Sequence, residues 1–124
     1  MPARLRPADP AAVADALART GEHRTDADRR LLAKHFLAVL AQRAPGASVE
    51  VRVPPYAAAQ AVPGVRHTRG TPPAVVETDA ETWLALATGR TTWGEAVASG
   101  RVVASGERTD LTPYLPLTTP TIED

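Results

Sequence analysis

Apolar residues in the first third of the chain recur at the three- and four-residue spacing of an α-helix. The longer of two such stretches opens at Thr25 or Asp26, and its apolar face carries Leu32, Phe36, Val39 and Leu40. A shorter stretch precedes it, with Asp9 as N-cap and an end near Gly21. Ala44-Pro45-Gly46 ends the long stretch, because a proline disfavours helix for the residue before it. We therefore expect two helices, the second being the longest in the chain.

The hydrophobic period then changes from helical to alternating. Val49, Val51 and Val53 are separated by Glu50 and Arg52, so one face of this strand is apolar and the other is polar. Further strands are expected at residues 56–62, 74–78 and 101–105. Because the connections between the first strands are short, we expect antiparallel neighbours rather than a doubly wound sheet.

Two helix starts separate the third expected strand from the last. Thr78-x-x-Glu81 and Thr92-x-x-Glu95 both match the capping box, in which a hydroxyl and a carboxylate satisfy exposed amide donors. Gly89 and Gly100 follow at the distance of one short helix, and glycine is a favourable C-cap. These signals predict two short helices that are capped at both ends.

The element order, helix-helix, three strands, two helices and a strand, predicts an α/β protein of the α+β type. A chain of 124 residues has the size of one domain with one core. We treat residues 1–124 as a single domain, with 1–8 and 118–124 expected to be frayed. Leu111, Leu115 and Leu117 predict an apolar tail that lies back on the core.

Composition excludes several functional classes. Fourteen acidic residues balance fourteen basic ones, so no net field would attract nucleic acid, and we expect no nucleic-acid partner. The chain has no cysteine, which excludes disulfides, cysteine nucleophiles and cysteine-ligated zinc. The longest apolar run, Phe36 to Ala41, is too short for a signal peptide or a membrane span. We expect a soluble cytoplasmic protein without integral membrane association.

Catalytic motifs are not found. The sequence has no Gly-x-Ser-x-Gly elbow, no Walker loop and no His-Glu-x-x-His pair. His23, His35 and His67 lack the spacing of metal ligands. His67 could serve an enzyme, but no nucleophile or carboxylate partner can be named for it. We therefore expect no metal, no cofactor and no enzymatic activity.

One stretch is cationic. No acidic residue occurs between Glu50 and Glu77, whereas Arg66, His67 and Arg69 lie together in this interval. They could bind a carboxylate or phosphate head group, to which arginine donates two hydrogen bonds. Alternatively, they form a solvated loop that pairs with nearby acidic residues, a common and weak arrangement at protein surfaces.

The two tryptophans also have two interpretations. Trp83 and Trp93 lie in successive expected helices and could line a ligand cavity. Alternatively, they supply bulk to a core that is otherwise poor in aromatic side chains. His35 precedes Phe36 in the long helix, and we interpret it as a residue at the boundary of the core.

Residues 89–106, GRTTWGEAVASGRVVASG, resemble the closing segment of sterol carrier protein domains, in which glycine, capped helix, glycine, strand and glycine follow in this order. Residues 77–86, ETDAETWLAL, are similar to the helix that precedes this segment in those domains. SVEVRVP at 48–54 and RHTRGTPP at 66–73 look like stretches of the small stand-alone actinobacterial branch. The resemblance spans about Ala47 to Leu117.

The resemblance implies a mostly antiparallel sheet of about five strands packed by helices, with an apolar tunnel between the layers. It also implies non-catalytic binding or carriage of a lipid-like ligand, apolar or amphipathic. The candidate ligand-binding residues are Phe36, Val51, Val53, Gln60, Arg66, His67, Arg69, Trp83 and Trp93. A related domain closes mycothiol-dependent maleylpyruvate isomerase-like enzymes, which gives the alternative of an accessory interaction module with a homodimer or enzyme partner.

Overall fold

The computed structural model describes residues 5–64, 74–106 and 109–118. Its helices are α1 (Pro10–Ala18), α2 (Asp26–Arg43), α3 (Ala80–Ala87) and α4 (Trp93–Ala98). Its strands are β1 (Val49–Val53), β2 (Ala57–Ala61), β3 (Ala74–Thr78) and β4 (Val102–Ser105). Single 3-10 turns occur at Gly21–His23 and Thr112–Tyr114. The described elements follow the predicted order, and α2 is the longest helix among them.

The start of α2 lies where the sequence predicts it. The Thr25 hydroxyl accepts a hydrogen bond from the Asp28 amide, and the Asp28 carboxylate accepts one from the Thr25 amide. This reciprocal pair satisfies two amide donors that the first helical turn leaves without a helical partner.

The predicted cap of α3 is wrong by one residue. Asp79, not Thr78, is the N-cap, and its carboxylate accepts from the Thr82 amide. Thr78 is the last residue of β3, and its hydroxyl donates instead to the carbonyl of Arg101 at 2.9 Å. A side chain that is buried and bonded to the residue just before β4 cannot also cap the helix. Thr92 caps α4 as predicted.

Glycines end α3 and α4 as predicted. Gly89 and Gly100 have φ angles of 79° and 78°, in the left-handed region that glycine adopts without steric cost. The amide of Arg90 donates to the carbonyl of Ala85, and the amide of Gly89 donates to that of Leu86. Gly100 and the residue after it make the same two bonds at the end of α4. Both ends are therefore Schellman motifs.

The sheet is mixed, with strand order β2-β1-β3-β4, and it has four strands within the described residues. The β1–β2 and β3–β4 pairs are antiparallel, as expected, but β1 and β3 are parallel neighbours. The expectation of antiparallel neighbours is wrong for this pair. The chain reverses direction from β1 into β2 and again before β3, which lies on the other side of β1. Two reversals leave β3 running in the direction of β1.

One face of the sheet forms the core with the helices. Val49, Val51 and Val53 are fully buried, together with Leu32, Phe36 and Trp83. Their neighbours Glu50 and Arg52 lie on the opposite face and form an ion pair at 2.6 Å. The predicted strand register is therefore confirmed. Helix α2 packs against β2, and α1 and α3 pack against α2.

Both ends of the described chain contact this core. Leu111 and Leu117 are buried and Leu115 is partly buried, which confirms the apolar tail. The amides of Leu117 and Thr118 both donate to the carbonyl of Ala87. At the other end, Leu5 packs against the core cluster.

Candidate functional site

Four predicted ligand-binding residues meet in the layer between the sheet and the helices. Phe36, Val51, Val53 and Trp83 are each at most 2 % exposed. The indole of Trp83 donates to the carbonyl of Ala33 in α2 at 3.4 Å, so its polar atom is satisfied inside the core. These side chains fill the layer, and Trp83 is a core residue.

Two further predicted residues, Trp93 and Gln60, lie outside this layer. Trp93 is half-buried and packs against the edge of the core cluster. Gln60 is exposed on the polar face of β2, where it is paired in register with Glu50. Arg66, His67 and Arg69 lie outside the described residues, so their role stays a prediction.

A groove runs along the outer side of α2 and has a volume of about 320 Å³. We call it the α2 groove, and its lining residues are Arg6, Ala8, Ala27, Arg30, Leu31, Lys34 and His35. The first two come from the segment before α1, and the other five come from residues 27–35 of α2. The sequence did not predict this groove, because its two walls are far apart in the chain.

The lining of the α2 groove combines cationic and apolar groups. Arg6, Arg30 and Lys34 provide three positive charges, and no carboxylate lies among the lining residues. An acid close to them is Asp26, whose carboxylate is 3.9 Å from the guanidinium of Arg30. Both of these side chains are well exposed, so this pair contributes little. The groove therefore favours an anionic group.

His35 lies at the boundary of the core, as expected, and holds one wall of the α2 groove. Its Nδ1 accepts a hydrogen bond from the amide of Ala8 at 2.9 Å. An Nδ1 that accepts carries no proton, so the proton of the neutral ring is on Nε2. Burial lowers the pKa of His35 from its ordinary value, which favours this neutral form at pH 7. The ring also packs edge-on against Phe36, with 4.9 Å between ring centroids.

A second groove, of about 400 Å³, lies at the turn between β1 and β2. It is lined by Arg52, Pro54, Pro55, Tyr56, Ala57, Ala58 and Glu77. Its charges have both signs, and Arg52 is already bonded to Glu50. Both grooves lie on outer faces of the protein, and neither opens between the helices and the sheet, where the resemblance implies a tunnel.

Ion pairs that sequence reasoning missed join the first three helices. Arg19 donates two hydrogen bonds to Asp28, at 2.7 and 2.8 Å, and these bonds hold the pKa of the Asp28 carboxyl well below its usual range. Arg24 is only 4 % exposed and donates to Glu81, which also accepts from Arg29. The Thr25-x-x-Asp28 pattern could have indicated the role of Asp28. No sequence signal relates Arg24 to Glu81, which are 57 positions apart.

Within residues 5–64, 74–106 and 109–118, no three histidine or acidic side chains come together in a way that could hold a metal ion. No helix in the described part of the chain has both the length and the apolar character needed to cross a membrane.

Comparison with known proteins agrees with the architecture. No curated protein matches the chain. A family model described as "Bacterial SCP ortholog", where SCP denotes sterol carrier protein, matches residues 24–117. This range includes α2, all four described strands and the two short helices that end in glycine. The chain belongs to the bacterial SCP ortholog family and contains a sterol-carrier-protein-like domain.

Proposed function

We propose that the protein binds and carries a lipid-like ligand, apolar or amphipathic, and that it does not catalyse a reaction. The observation that carries this proposal is the family match over residues 24–117, which spans most of the chain. Sterol carrier protein domains hold lipids in their well-studied members, and this chain has the mixed helix and sheet architecture of such a domain.

The chemistry of the described residues is consistent with binding rather than catalysis. The half-buried imidazole of His35 is bonded to a backbone amide, not to a nucleophile or a carboxylate. The buried charges of Arg24 and Asp28 are held in ion pairs that join helices. These groups are used for structure, and a general base needs a free lone pair within reach of a substrate proton.

The family resemblance implies a ligand between the helices and the sheet. In this structure Phe36, Val51, Val53 and Trp83 occupy that layer themselves, at most 2 % exposed. A ligand enters there only if it separates packed side chains, which changes the surroundings of Trp83. Trp83 therefore reports on binding in the layer.

The test is displacement of a fluorescent fatty acid by fatty acids, acyl-CoA and sterols, with tryptophan emission recorded in parallel. The chain has two tryptophans, so Trp93→Phe leaves only the buried one and Trp83→Phe leaves only the half-buried one. We expect saturable binding, and a ligand in the layer should change emission mainly in the Trp93→Phe protein.

Native mass spectrometry of the protein purified from its own host complements this assay, because a co-purifying lipid would identify the ligand. If none of the three ligand classes binds saturably and no lipid co-purifies, the carrier proposal is wrong. The accessory interaction module would then be the better account of the protein.

A further inference from the structure

The α2 groove is a surface cleft between the segment before α1 and residues 27–35 of α2. Its volume of about 320 Å³ is at the lower end of the range of small-molecule sites, roughly 300–1,000 Å³. One wall is α2, which begins in a capping box. The other wall is held by the hydrogen bond from the Ala8 amide to His35. The ligand would meet a site that is already formed.

The positive charges that line the groove favour an anionic ligand. Arg6, Arg30 and Lys34 line it without a carboxylate among the lining residues. An arginine can donate two parallel hydrogen bonds to one carboxylate. His35 adds a donor without adding charge, because its Nδ1 is occupied as an acceptor and its proton is on Nε2.

The aliphatic side chains that line the groove favour a ligand with an apolar chain. Ala8, Ala27 and Leu31 provide its aliphatic surface, and Leu31 also packs against the core cluster. Each methylene group that leaves water for such a surface makes binding more favourable. A free inorganic anion would use the charges alone and would gain nothing from this surface.

We infer that the α2 groove binds one monomeric carboxylate of medium chain length, with the carboxylate against Arg30 and Lys34 and the chain against Ala27 and Leu31. A single amphiphile suits the groove better than a membrane surface does, because the balanced net charge gives no long-range attraction to an anionic bilayer. This site is separate from the helix–sheet layer, and Arg6 and Ala8 precede the segment that matches the family.

Titration calorimetry with decanoate, below the concentration at which it forms micelles, tests this site. Arg30→Gln/Lys34→Gln should weaken decanoate binding on the order of fivefold, since each exposed charge contributes modestly. The matched control is Arg90→Gln/Arg101→Gln, which removes the same net charge from exposed arginines that do not line the groove. The control should bind decanoate as the parent does, and decanol should bind equally to all three proteins.

Ala27→Glu is a second variant, chosen to preserve the fold. Ala27 is exposed at the second position of α2, where an acidic residue interacts favourably with the helix dipole. The new carboxylate would put a charge against the apolar chain of the ligand and would occupy part of the groove. We expect decanoate binding to fall at least as far as in the double variant, with an unchanged circular dichroism spectrum.

Three results would overturn the inference. Equal decanoate affinity in the groove variant and its matched control would place the ligand elsewhere and leave the carrier proposal intact. Binding of inorganic phosphate as tight as that of decanoate would remove the role of the apolar surface. Binding to anionic phosphatidylglycerol vesicles without any binding of monomeric decanoate would assign the groove to membrane contact. The carrier proposal fails separately, if no lipid class binds the parent protein.

Discussion

At the scale of single residues, glycine is required at position 46. Gly46 has a φ of 147°, and a Cβ there would overlap the backbone carbonyl of Val62. That carbonyl accepts from the amide of Ser48, and the Val62 amide donates to Ala44 at 2.7 Å, so the contacting backbone is held from both sides. Val62 itself has a φ of 74°, which is rare for a β-branched residue.

We expect Gly46→Ala to lower the free energy of unfolding by more than about 1 kcal/mol, because both the φ angle and the contact are unfavourable for alanine. Gly94→Ala is the control. Gly94 lies in α4 with open space around its Cα, so alanine should raise stability there by about 0.5 kcal/mol. Urea denaturation measures both changes. Equal stability of Gly46→Ala and the parent would contradict the described contact with Val62.

His35 should make the stability of the protein depend on pH. Burial lowers the pKa of the folded-state imidazole below its ordinary value of 6.5. As the pH falls through 6.5, the unfolded chain therefore binds the proton first, and the free energy of unfolding decreases. The imidazolium also loses the hydrogen bond that Nδ1 accepts from Ala8.

Urea denaturation at pH 7.5 and at pH 5 checks this expectation. His35→Gln cannot titrate, so it should lose less stability than the parent protein between the two pH values. Exposed His23 is retained in both proteins and therefore cancels in the comparison. Parallel losses in the two proteins would show that His35 is not the group responsible.

At the scale of elements, the two faces of the sheet should respond differently to the same truncation. Val51 in β1 is 0 % exposed, whereas Val103 in β4 is 65 % exposed. Val51→Ala should cost about 2 kcal/mol, from two lost methyl groups and the cavity that they leave. Val103→Ala should change stability by less than about 0.5 kcal/mol. Chemical denaturation of the two variants measures the difference, and similar losses would reject the assigned register.

Helix ends were predictable at this scale because their signals are local. Thr25 and Thr92 cap their helices, and Gly89 and Gly100 end theirs, each through bonds that span a few residues. The cap of α3 was not predictable in this way, because the Thr78 hydroxyl bonds to Arg101, 23 positions away, and no local pattern indicates that bond.

At the scale of the whole molecule, a ligand that binds only the folded state must stabilise it. Decanoate at one hundred times its dissociation constant should raise the free energy of unfolding by about 2.7 kcal/mol, which corresponds to a rise in Tm of roughly 10 °C for a domain of this size. The same concentration applied to the fivefold weaker Arg30→Gln/Lys34→Gln variant should contribute only about 1.8 kcal/mol.

Differential scanning calorimetry over a series of decanoate concentrations tests this linkage, with decanol as the neutral comparison. A Tm that rises equally in the groove variant and the parent would mean that the carboxylate is recognised outside the α2 groove. A Tm that falls with added decanoate would mean that the unfolded chain binds it better.

Much of the fold is determined by the sequence alone. The alternation of Val49, Val51 and Val53 fixes which face of β1 is buried, because successive strand side chains point in opposite directions. The positions of the strands, the order of the elements and the family follow from patterns within short segments of the chain.

Only the tertiary structure decided which distant segments meet. It made β1 and β3 parallel neighbours, packed Trp83 into the layer where a tunnel was expected, and joined Arg24 to Glu81 across 57 positions. It also laid Ala8 against His35, 27 positions away, and so formed the α2 groove. Periodicity reports the environment of each face, but not which other segment covers it, because that choice depends on the packing of the whole chain.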